Sequence, residues 1–325
     1  MKKRTKIWLI VATALILVGS ILFTGAMSVL KWDFKKLSTR KYETNTHAVT
    51  DSFRHVSIAA DTANIRFEPT EDDTVSVVCY EDIAFFHTVT VENDTLVIKA
   101  EKAQKWYQYI GIGFEETTIT VYLPAGEYGD LTIQSSTGDV DLPIDYTFDR
   151  MDIEVSTGDV SSFAGVVGAA KIHTTTGDVN LKAFTTASLD VSVSTGNISV
   201  KNVDAEHMRL SVTTGKTAVS GVYCHDFTSK GTTGDLHMRD VLATGAFSIK
   251  RTTGDVNFDS CDAETMQVTT GTGDILGTLR TQKTFVTHTD TGSVRLPHLP
   301  PSGGLCELTT TTGNIHITLE DSAYE

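Results

Sequence analysis

The feature that most constrains the fold is a Thr-Gly-Asp triplet, or a close variant of it, that recurs ten times at an almost constant spacing. Successive repeats lie 19 to 21 residues apart. A fixed period of this length is the signature of stacked supersecondary units rather than of a globule with one core. The repeat glycines are Gly138, Gly158, Gly177, Gly196, Gly215, Gly234, Gly254, Gly273, Gly292 and Gly313.

Apolar residues keep fixed places relative to each repeat glycine. Around Gly177, Ile172 comes five positions earlier, Val179 and Leu181 come two and four positions later, and Phe184 marks a third apolar stretch. Alternation with period 2 on both sides of the glycine predicts short strands separated by a corner. Identical columns that stack coil on coil give parallel, in-register strands about 4.8 Å apart.

The sequence therefore predicts an all-β fold, a right-handed parallel β-solenoid (β-helix) of about ten 19–20-residue coils, preceded by one N-terminal transmembrane helix. Right-handed winding is the default for parallel crossover connections. The left-handed hexapeptide helix is the competitor, but its six-residue pattern is absent. The expected segments are a basic N-terminus (1–6), a transmembrane signal anchor (7–30), a juxtamembrane stalk (31–49), an irregular strand-rich lead-in or cap (50–128), the solenoid (129–319) and a C-terminal tail (320–325).

The residues of the triplet have structural explanations. Threonine precedes every repeat glycine and shares the parity of the apolar columns, which predicts an internal hydroxyl ladder. The glycine permits a positive φ at the corner, and the following Asp or Asn is expected to bond the turn backbone locally. A Ca²⁺ site on the carboxylate column is the alternative. It is disfavoured because calcium takes six to eight oxygens and Lys216 interrupts the column.

Residues 7–30 form an uncharged stretch of 24 residues, long enough to cross a bilayer. A cleavable signal peptide is the alternative, but its apolar core is usually shorter. We therefore expect an uncleaved signal anchor and a single-pass protein. Basic residues flank both ends, so the positive-inside rule is nearly balanced. The acidic, Thr-rich body favours a position outside the cell membrane.

The charge distribution limits the partners. The formal net charge is −14, although four of the 27 basic residues precede the apolar stretch. An acidic body of this kind would repel phosphates, which argues against nucleic acid as a partner. The four cysteines, Cys79, Cys224, Cys261 and Cys306, form no CxxC pair, which disfavours a disulfide framework. Cys261 and Cys306 fall in apolar columns and are interpreted as buried small residues, whereas Cys224 could face either way.

No motif indicates catalysis. A nucleophile elbow, a P-loop and zinc-type spacing are all absent from the sequence, and the near-constant period leaves no room for long catalytic loops. His288 and Asp290 share one strand face but form only a weak pair. Ice binding is disfavoured because the outward column four residues before the glycine is not a threonine array. We predict a protein that is not an enzyme and has no cofactor and no metal.

An aromatic cluster lies within the lead-in: Trp106, Tyr107, Tyr109 and Phe114. It is the candidate partner-binding patch of the sequence. A hydrophobic cap over the solenoid end and a membrane-proximal contact are the competing interpretations. The cap is preferred because an exposed coil edge would otherwise pair with other chains.

The N-terminal anchor, the strand-rich lead-in and motifs such as Ser156-Thr157-Gly158-Asp159-Val160 resemble the bacterial LiaG-like β-strand-repeat family, labelled "putative adhesin" and of unknown function. The resemblance covers about residues 50–319, and it implies a surface-exposed adhesive or scaffolding role without catalytic residues. Lys216 and Ser293 depart from the motif at turn positions.

Together, these features predict a membrane-anchored surface protein that acts as an adhesin-like or envelope-associated binding module. The alternative is a self-associating structural or envelope-stress signalling scaffold. The expected partners are the membrane, through the N-terminal helix, and a cell-wall or host-surface polymer or another envelope protein. The expected location is the cell membrane with the C-terminal body extracellular.

Overall fold

The computed structural model describes residues 3–72, 74–102, 113, 115–298, 300 and 302–320. Helix α1 covers Lys3–Val29, and a 3₁₀ helix covers Phe34–Leu37. The strands are β1 (Tyr42–Val49), β2 (His55–Thr62), β3 (Asn64–Thr70), β4 (Val75–Asp82), β5 (Phe85–Glu92), β6 (Thr95–Lys102), β7 (Thr118–Pro124), β8 (Gly126–Thr137), β9 (Val140–Leu142), β10 (Tyr146–Thr157), β11 (Val160–Ser162), β12 (Gly165–Val166), β13 (Ala169–Thr176), β14 (Val179–Thr195), β15 (Ile198–Thr214), β16 (Thr217–Thr233), β17 (Leu236–Thr253), β18 (Val256–Thr272), β19 (Ile275–Leu279), β20 (Thr284–Thr291), β21 (Val294–Arg295), β22 (Leu305–Thr312) and β23 (Ile315–Leu319).

Helix α1 is apolar over most of its length. The segment Arg4–Val29 has 26 residues and a mean hydropathy of 2.5, and its most apolar stretch is not buried by the rest of the chain. At 1.5 Å per residue the helix is about 40 Å long, enough to cross a bilayer. A single apolar helix at the N-terminus fits either a membrane span or a signal sequence.

The rest of the chain is an all-β parallel solenoid of about nine turns, which confirms the predicted architecture. Its central coils are single long strands that bend at the corners and pair in register with the next coil. Thr195 pairs with Thr214, and Thr214 with Thr233. Inward-pointing Val, Ile, Leu, Met and Phe side chains form one continuous core along the axis.

The repeat glycines form the first corner, with φ between 124° and 155°. This region is open to glycine and costly for residues with a Cβ atom. The corner also brings successive coils into direct backbone contact. A Cβ atom on Gly215 would lie 1.8 Å from the carbonyl oxygen of Gly196 in the preceding coil. The column therefore requires glycine for both conformational and steric reasons.

A second corner lies six residues after the repeat glycine and has no counterpart in the sequence prediction. Five successive coils place a left-handed residue there, with φ between 51° and 62°: Ala183, Asn202, Gly221, Asp240 and Ser260. Residue type varies along this column, so the sequence carries no repeated signal for it. The corner separates the second face of each coil from the third, and the coil is therefore three-sided.

The internal threonine ladder was a wrong prediction. All ten threonines that precede the repeat glycines are exposed. Regular strand pairing skips the position before each of them, as between Val155 and Thr157, so the chain bends there and inside-outside alternation is lost. The inward hydroxyls belong to threonines that lie two residues earlier in the repeat. Thr270 Oγ1 donates to the Gly254 carbonyl at 3.1 Å, and Thr310 Oγ1 to the Gly273 carbonyl at 2.9 Å.

The Asp or Asn that follows each glycine bonds to the neighbouring coil, whereas the sequence predicted a local turn bond. Asp139 Oδ1 accepts the backbone N–H of Asp159 at 2.8 Å, and Asp159 Oδ1 accepts that of Asp178 at 2.7 Å. The carboxylates therefore act as a ladder along the corner. Lys216 interrupts it, because a lysine side chain has no acceptor to offer the amide of Asp235.

A charged side chain, that of Arg251, lies inside the core of the solenoid. Arg251 is 1% exposed and donates from Nη2 to Ser229 Oγ at 2.9 Å. Burial lowers the pKa of Arg251 to about 10, although the negative charge of Asp235 acts in the opposite direction. Gly231 in the adjacent coil leaves the space that the guanidinium fills, since a Cβ there would lie 1.6 Å from Nη1.

The last two repeats stack out of chain order. Strand β22 lies between β18 and β20, and β23 lies between β19 and β21. The tenth repeat places the fully buried Leu308 and Ile315 in the interior. The ninth repeat has the polar Thr287 at the position of Leu308 and covers the end of the stack. Hydrophobic burial thus favours the order seen, because a terminal coil needs a more polar outer side.

The N-terminal end of the solenoid is closed differently. Strands β2 and β3 form a first coil in which Thr62 pairs with Thr137 and Ile65 with Val140. Strands β6 and β7 continue the parallel stack, while β1, β4 and β5 add antiparallel pairings. We refer to β1 and β4–β7 as the cap.

Candidate functional site

A concave site lies within the cap. It is a cleft of about 580 Å³ bordered by the start of β1, the β4–β5 turn and the end of β6. Its walls combine acidic, basic and aromatic side chains, among them Arg40, Asp82, Phe85, His87 and Lys102. Clefts of this size with a few convergent polar groups are the usual candidates for ligand binding.

An ion pair and a cation–π contact fix one wall of the cleft. Arg40 Nη1 lies 3.0 Å from Asp82 Oδ2, and Asp82 is 4% exposed. Asp82 Oδ1 also accepts the N–H of Ala84 at 2.9 Å, which holds the β4–β5 turn. The Arg40 guanidinium lies 5.1 Å from the centre of the Phe85 ring. The guanidinium is therefore held between a carboxylate and an aromatic face.

Lys102 and Tyr42 also line the cleft, and the Lys102 side chain is more exposed than that of Arg40. Lys102 Nζ lies 6.0 Å from the centre of the same Phe85 ring and 3.8 Å from Asp61 Oδ2. Tyr42 stacks on Tyr80 with ring centres 5.7 Å apart. Burial, and then the negative charge of Asp82, raise the pKa of Tyr42, so its hydroxyl stays protonated at neutral pH. The cleft thus presents cations, an aromatic ring and a phenol.

A buried histidine and glutamate lie beneath these walls. His87 Nδ1 is 2.7 Å from Glu81 Oε2, and the backbone N–H of His87 donates to the same oxygen at 2.8 Å. Glu81 Oε1 accepts from Asn45 Nδ2 at 2.8 Å. Glu81 is 1% exposed and His87 6%. The arrangement fixes the imidazole ring firmly, as a buried carboxylate requires partners on both oxygens.

For the predicted aromatic patch, the structure describes only neighbouring residues. Trp106, Tyr107, Tyr109 and Phe114 lie outside the described residues. Gly113 and Glu115, which bracket Phe114, line the cleft. The patch remains a prediction.

A second candidate surface runs along the solenoid. We call it the threonine ridge: the ten exposed threonines before the repeat glycines, with the residues that precede them. The preceding residue is Ser or Thr in eight of the ten repeats, which makes the ridge two hydroxyl columns wide over most of its length. Hydroxyl groups both donate and accept, so the ridge is a regular hydrogen-bonding surface.

The weak His288–Asp290 pair lies on the terminal coil. His288 Nε2 is 2.9 Å from Asp290 Oδ1, and both side chains are exposed. No third polar group of the described chain is held against the imidazole in a way that would orient it for catalysis, which fits surface decoration.

A comparison with family models identifies the family of this chain. Two consecutive matches to the Toastrack DUF4097 model cover residues 53–190 and 182–325. The chain belongs to the Toastrack DUF4097 family. The two matches meet within β14, which runs unbroken from Val179 to Thr195, so the boundary between them is not a boundary between two Toastrack folds. A search of curated proteins found no match.

Several solved structures are similar to this Toastrack chain. A "putative adhesin" from Bacteroides fragilis is 16% identical, with a TM-score of 0.40, 86% of this chain and 98% of that chain covered. A "putative adhesin" from Parabacteroides distasonis is 13% identical, with a TM-score of 0.46 and the same coverage. A "putative lipid binding protein" from the same organism is 14% identical, with a TM-score of 0.49, covering 85% and 97%.

Sequence reasoning missed the His87–Glu81 pair, although the signal was present. In β4, Val77, Cys79 and Glu81 alternate with more exposed residues, and all three are buried. A glutamate in phase with a buried Val and Cys must have partners for its charge. Those partners come from β1 and β5, however, and no local pattern of the Toastrack sequence indicates which residues they are.

Proposed function

We propose that this Toastrack protein is a non-enzymatic, adhesin-like binding module of the cell envelope. In this proposal α1 anchors the chain in the membrane and the solenoid lies outside it. The partner is a hydroxyl-rich polymer of the cell wall or of a host surface. The apolar, unburied helix and the acidic body support the location.

The observation that carries the proposal is the threonine ridge. A solenoid needs no hydroxyl on an exposed corner, because the Gly and Asp columns already fix the turn. Threonine nevertheless occupies this exposed position in every repeat. The ridge offers donors and acceptors at the coil spacing of about 4.8 Å. A periodic surface of this kind suits a polymer that itself carries regularly spaced hydroxyls.

Binding to isolated wall material, matrix polymers and intact cells tests the ridge. The triple variant Thr157→Val, Thr176→Val and Thr195→Val removes three hydroxyls at nearly constant shape. We expect at least tenfold weaker binding, since each lost hydrogen bond is worth about 1 kcal/mol. The control replaces Ser192 and Ser211, on the neighbouring outward column, by Ala. Equal losses in both variants, or no binding by the unaltered chain, would contradict the proposal.

Membrane orientation is tested by protease treatment of intact cells that produce the chain with an epitope tag after Glu325. Loss of the tag without lysis is the expected result. Protection of the tag until the cells are lysed would place the solenoid in the cytoplasm and would end the adhesin proposal.

A self-associating scaffold is the second candidate, and the open end of the solenoid favours it. Among the described strands, β20 pairs only with β22, so one of its edges is unpaired. Thr284 N bonds towards β22, and alternate residues of a parallel strand bond to the same neighbour. The amide of Thr287 therefore faces outward. The edge has no Pro or Lys, the usual protections against pairing.

Analytical ultracentrifugation of the full chain in detergent tests this candidate. Edge pairing predicts concentration-dependent association that Thr287→Pro abolishes, because proline removes an outward donor without breaking the bonds to β22. The control is Ser57→Pro in β2, a strand paired on both sides, which should impair folding instead. A full chain that stays monomeric at all concentrations would rule out the scaffold.

A further inference from the structure

The cap contains a cluster of metal-binding side chains that the adhesin proposal does not use. It lies on one face of the β1–β4 pair, where Val77, Cys79 and Glu81 are 0%, 0% and 1% exposed. Asn45 pairs directly with Cys79 and donates to Glu81, so its side chain is on this face. His47 is two residues further along β1 and lies on the same face by alternation.

Two imidazole nitrogens in this region are buried without a partner. The Nε2 atoms of His47 and His87 have no hydrogen-bond partner among the described residues. An unpaired buried polar group costs about 1–3 kcal/mol, so such atoms in a folded protein call for an explanation, and a bound ion is one. His87 is also more than nine-tenths buried and lies at the wall of the cap cleft.

Donor atoms of three residues are close together. One ligand atom each from Cys79, Glu81 and His87 lies within 4.8 Å of the others. His47 pairs with Val77, diagonally next to Cys79, but it lies outside this group of three, so its ring must turn towards Cys79 to reach the same ion. A thiol with imidazoles is the donor set of Zn²⁺ and related ions rather than of Ca²⁺ or Mg²⁺.

Glu81 has the position of an orienting residue. It accepts from His87 Nδ1, which leaves Nε2 with its lone pair free for an ion. Metal-binding histidines commonly donate their other N–H to a carboxylate, which fixes the tautomer and raises the ring's basicity. The Cys79 thiolate and the Glu81 carboxylate would together offset the two charges of a divalent ion, which a buried site requires.

We propose that Cys79, His87 and His47 bind a divalent transition metal ion of the Zn²⁺ class, with Glu81 as the positioning residue for His87. Binding replaces the thiol proton: the S–H bond breaks, the sulfur–metal bond forms, and one proton leaves to solvent. The cap cleft at His87 is the entry route. The ion ties β1, β4 and β5 together at the end of the solenoid.

Proton release makes the affinity depend on pH. The sulfur binds an ion as the thiolate, so the Cys79 thiol gives up its proton when the ion binds. Affinity is therefore expected to rise with pH across the neutral range.

The test uses Co²⁺ as a spectroscopic probe and Zn²⁺ as a competitor, with the full chain in detergent after treatment with a chelator. We expect one Co²⁺ per chain, a thiolate-to-cobalt charge-transfer absorption in the near ultraviolet, and loss of that absorption on adding Zn²⁺. Cys79→Ser is expected to abolish the absorption. Glu81→Gln is expected to weaken binding about 10- to 100-fold while keeping it.

A matched control is Cys224→Ser, because Cys224 is also buried but lies on the solenoid, away from the cap cluster. It should leave the absorption unchanged. His47→Gln and His87→Gln keep the thiol and should each weaken Co²⁺ binding at least tenfold, so the test does not depend on the folding of Cys79→Ser alone. No stoichiometric binding, or an absorption that survives Cys79→Ser and moves with Cys224→Ser, would overturn the proposal.

Discussion

At the scale of single residues, Arg251 is an exception among the small and apolar side chains that fill the solenoid interior. Arg251 occupies an inward column in which other coils carry Val, Thr, Ser or Gly, and its Nε and Nη1 atoms have no partner among the described residues. The glycine beside it, Gly231, provides the volume. The guanidinium of Arg251 is accommodated because Gly231 leaves room for it. The few hydrogen bonds that it makes do not offset the free-energy cost of removing its charge from water.

Replacing this charge is expected to stabilise the fold. Arg251→Met keeps most of the volume and removes the desolvation cost, so the free energy of unfolding should rise by about 1–4 kcal/mol. Urea unfolding measures the change. The paired control is Gly231→Ala, which adds a Cβ against the guanidinium and should destabilise the chain. A loss of stability in Arg251→Met would show that the buried guanidinium makes a net favourable contribution.

The buried thiols predict how stability depends on alkaline pH. Burial, and then Asp226, raise the pKa of Cys224 from 9.0 to about 12. Between these values the unfolded chain has lost the thiol proton and the folded chain keeps it, so stability falls as pH rises. Below pH 9 both states hold the proton and the contribution is complete. Each such thiol adds a slope of up to about 1.4 kcal/mol per pH unit.

Comparing the unaltered chain with Cys224→Ala isolates this slope, because every other titrating group is shared. The stability difference between the two chains should be constant from pH 7 to 9 and should shrink from pH 9 to 11, as urea unfolding at each pH would show. A difference that stays constant up to pH 11 would mean that the folded thiol ionises as easily as the unfolded one.

At the scale of one coil, the corner depends on bonds between neighbours. The carboxylate ladder stops at Lys216 and resumes at Asp235. Lys216→Asn would give the amide of Asp235 an acceptor, as Asn197 already does for Lys216 at 2.9 Å. We expect a gain of about 1 kcal/mol in the free energy of unfolding. Lys216→Ala supplies no acceptor, so an equal gain in that variant would contradict the explanation.

The coil also shows which features a repeat sequence can predict. The apolar columns around Gly177 could be predicted because nearly every repeat places an apolar residue at the same inward position. The second corner, at Ala183 and the equivalent positions of four other coils, could not be predicted from the sequence. These five residues share a backbone conformation but not a side-chain type. The threonines were placed inside because alternation was assumed to continue up to the glycine, whereas the chain bends just before it.

Over the whole molecule, the sequence similarity between repeats predicts that they stack on one another, but it does not predict the order in which they stack. Each repeat offers nearly the same columns, so any two can stack, and chain order is only the shortest connection. The 21-residue step between Gly292 and Gly313 contains Pro297, Pro300 and Pro301 and is long enough to return past one coil. Which repeat closes the stack is then decided by burial, and the ninth is the more polar. The cap residues form their site through long-range pairings that no repeat encodes.

Engineered disulfides test this order directly. Thr269, Thr309 and His288 share one outward column, with Thr309 in register with both of the others. Neighbouring strands lie about 4.8 Å apart and next-nearest strands about 10 Å. A disulfide needs Cα atoms within about 4.4–6.8 Å. The pair Thr269→Cys with Thr309→Cys should therefore form a disulfide on mild oxidation, and Thr269→Cys with His288→Cys should not. Since the four native cysteines are buried, they should not compete. Gel mobility and peptide mass mapping of the oxidised chains report the outcome, and the reverse pattern would mean that the repeats stack in chain order.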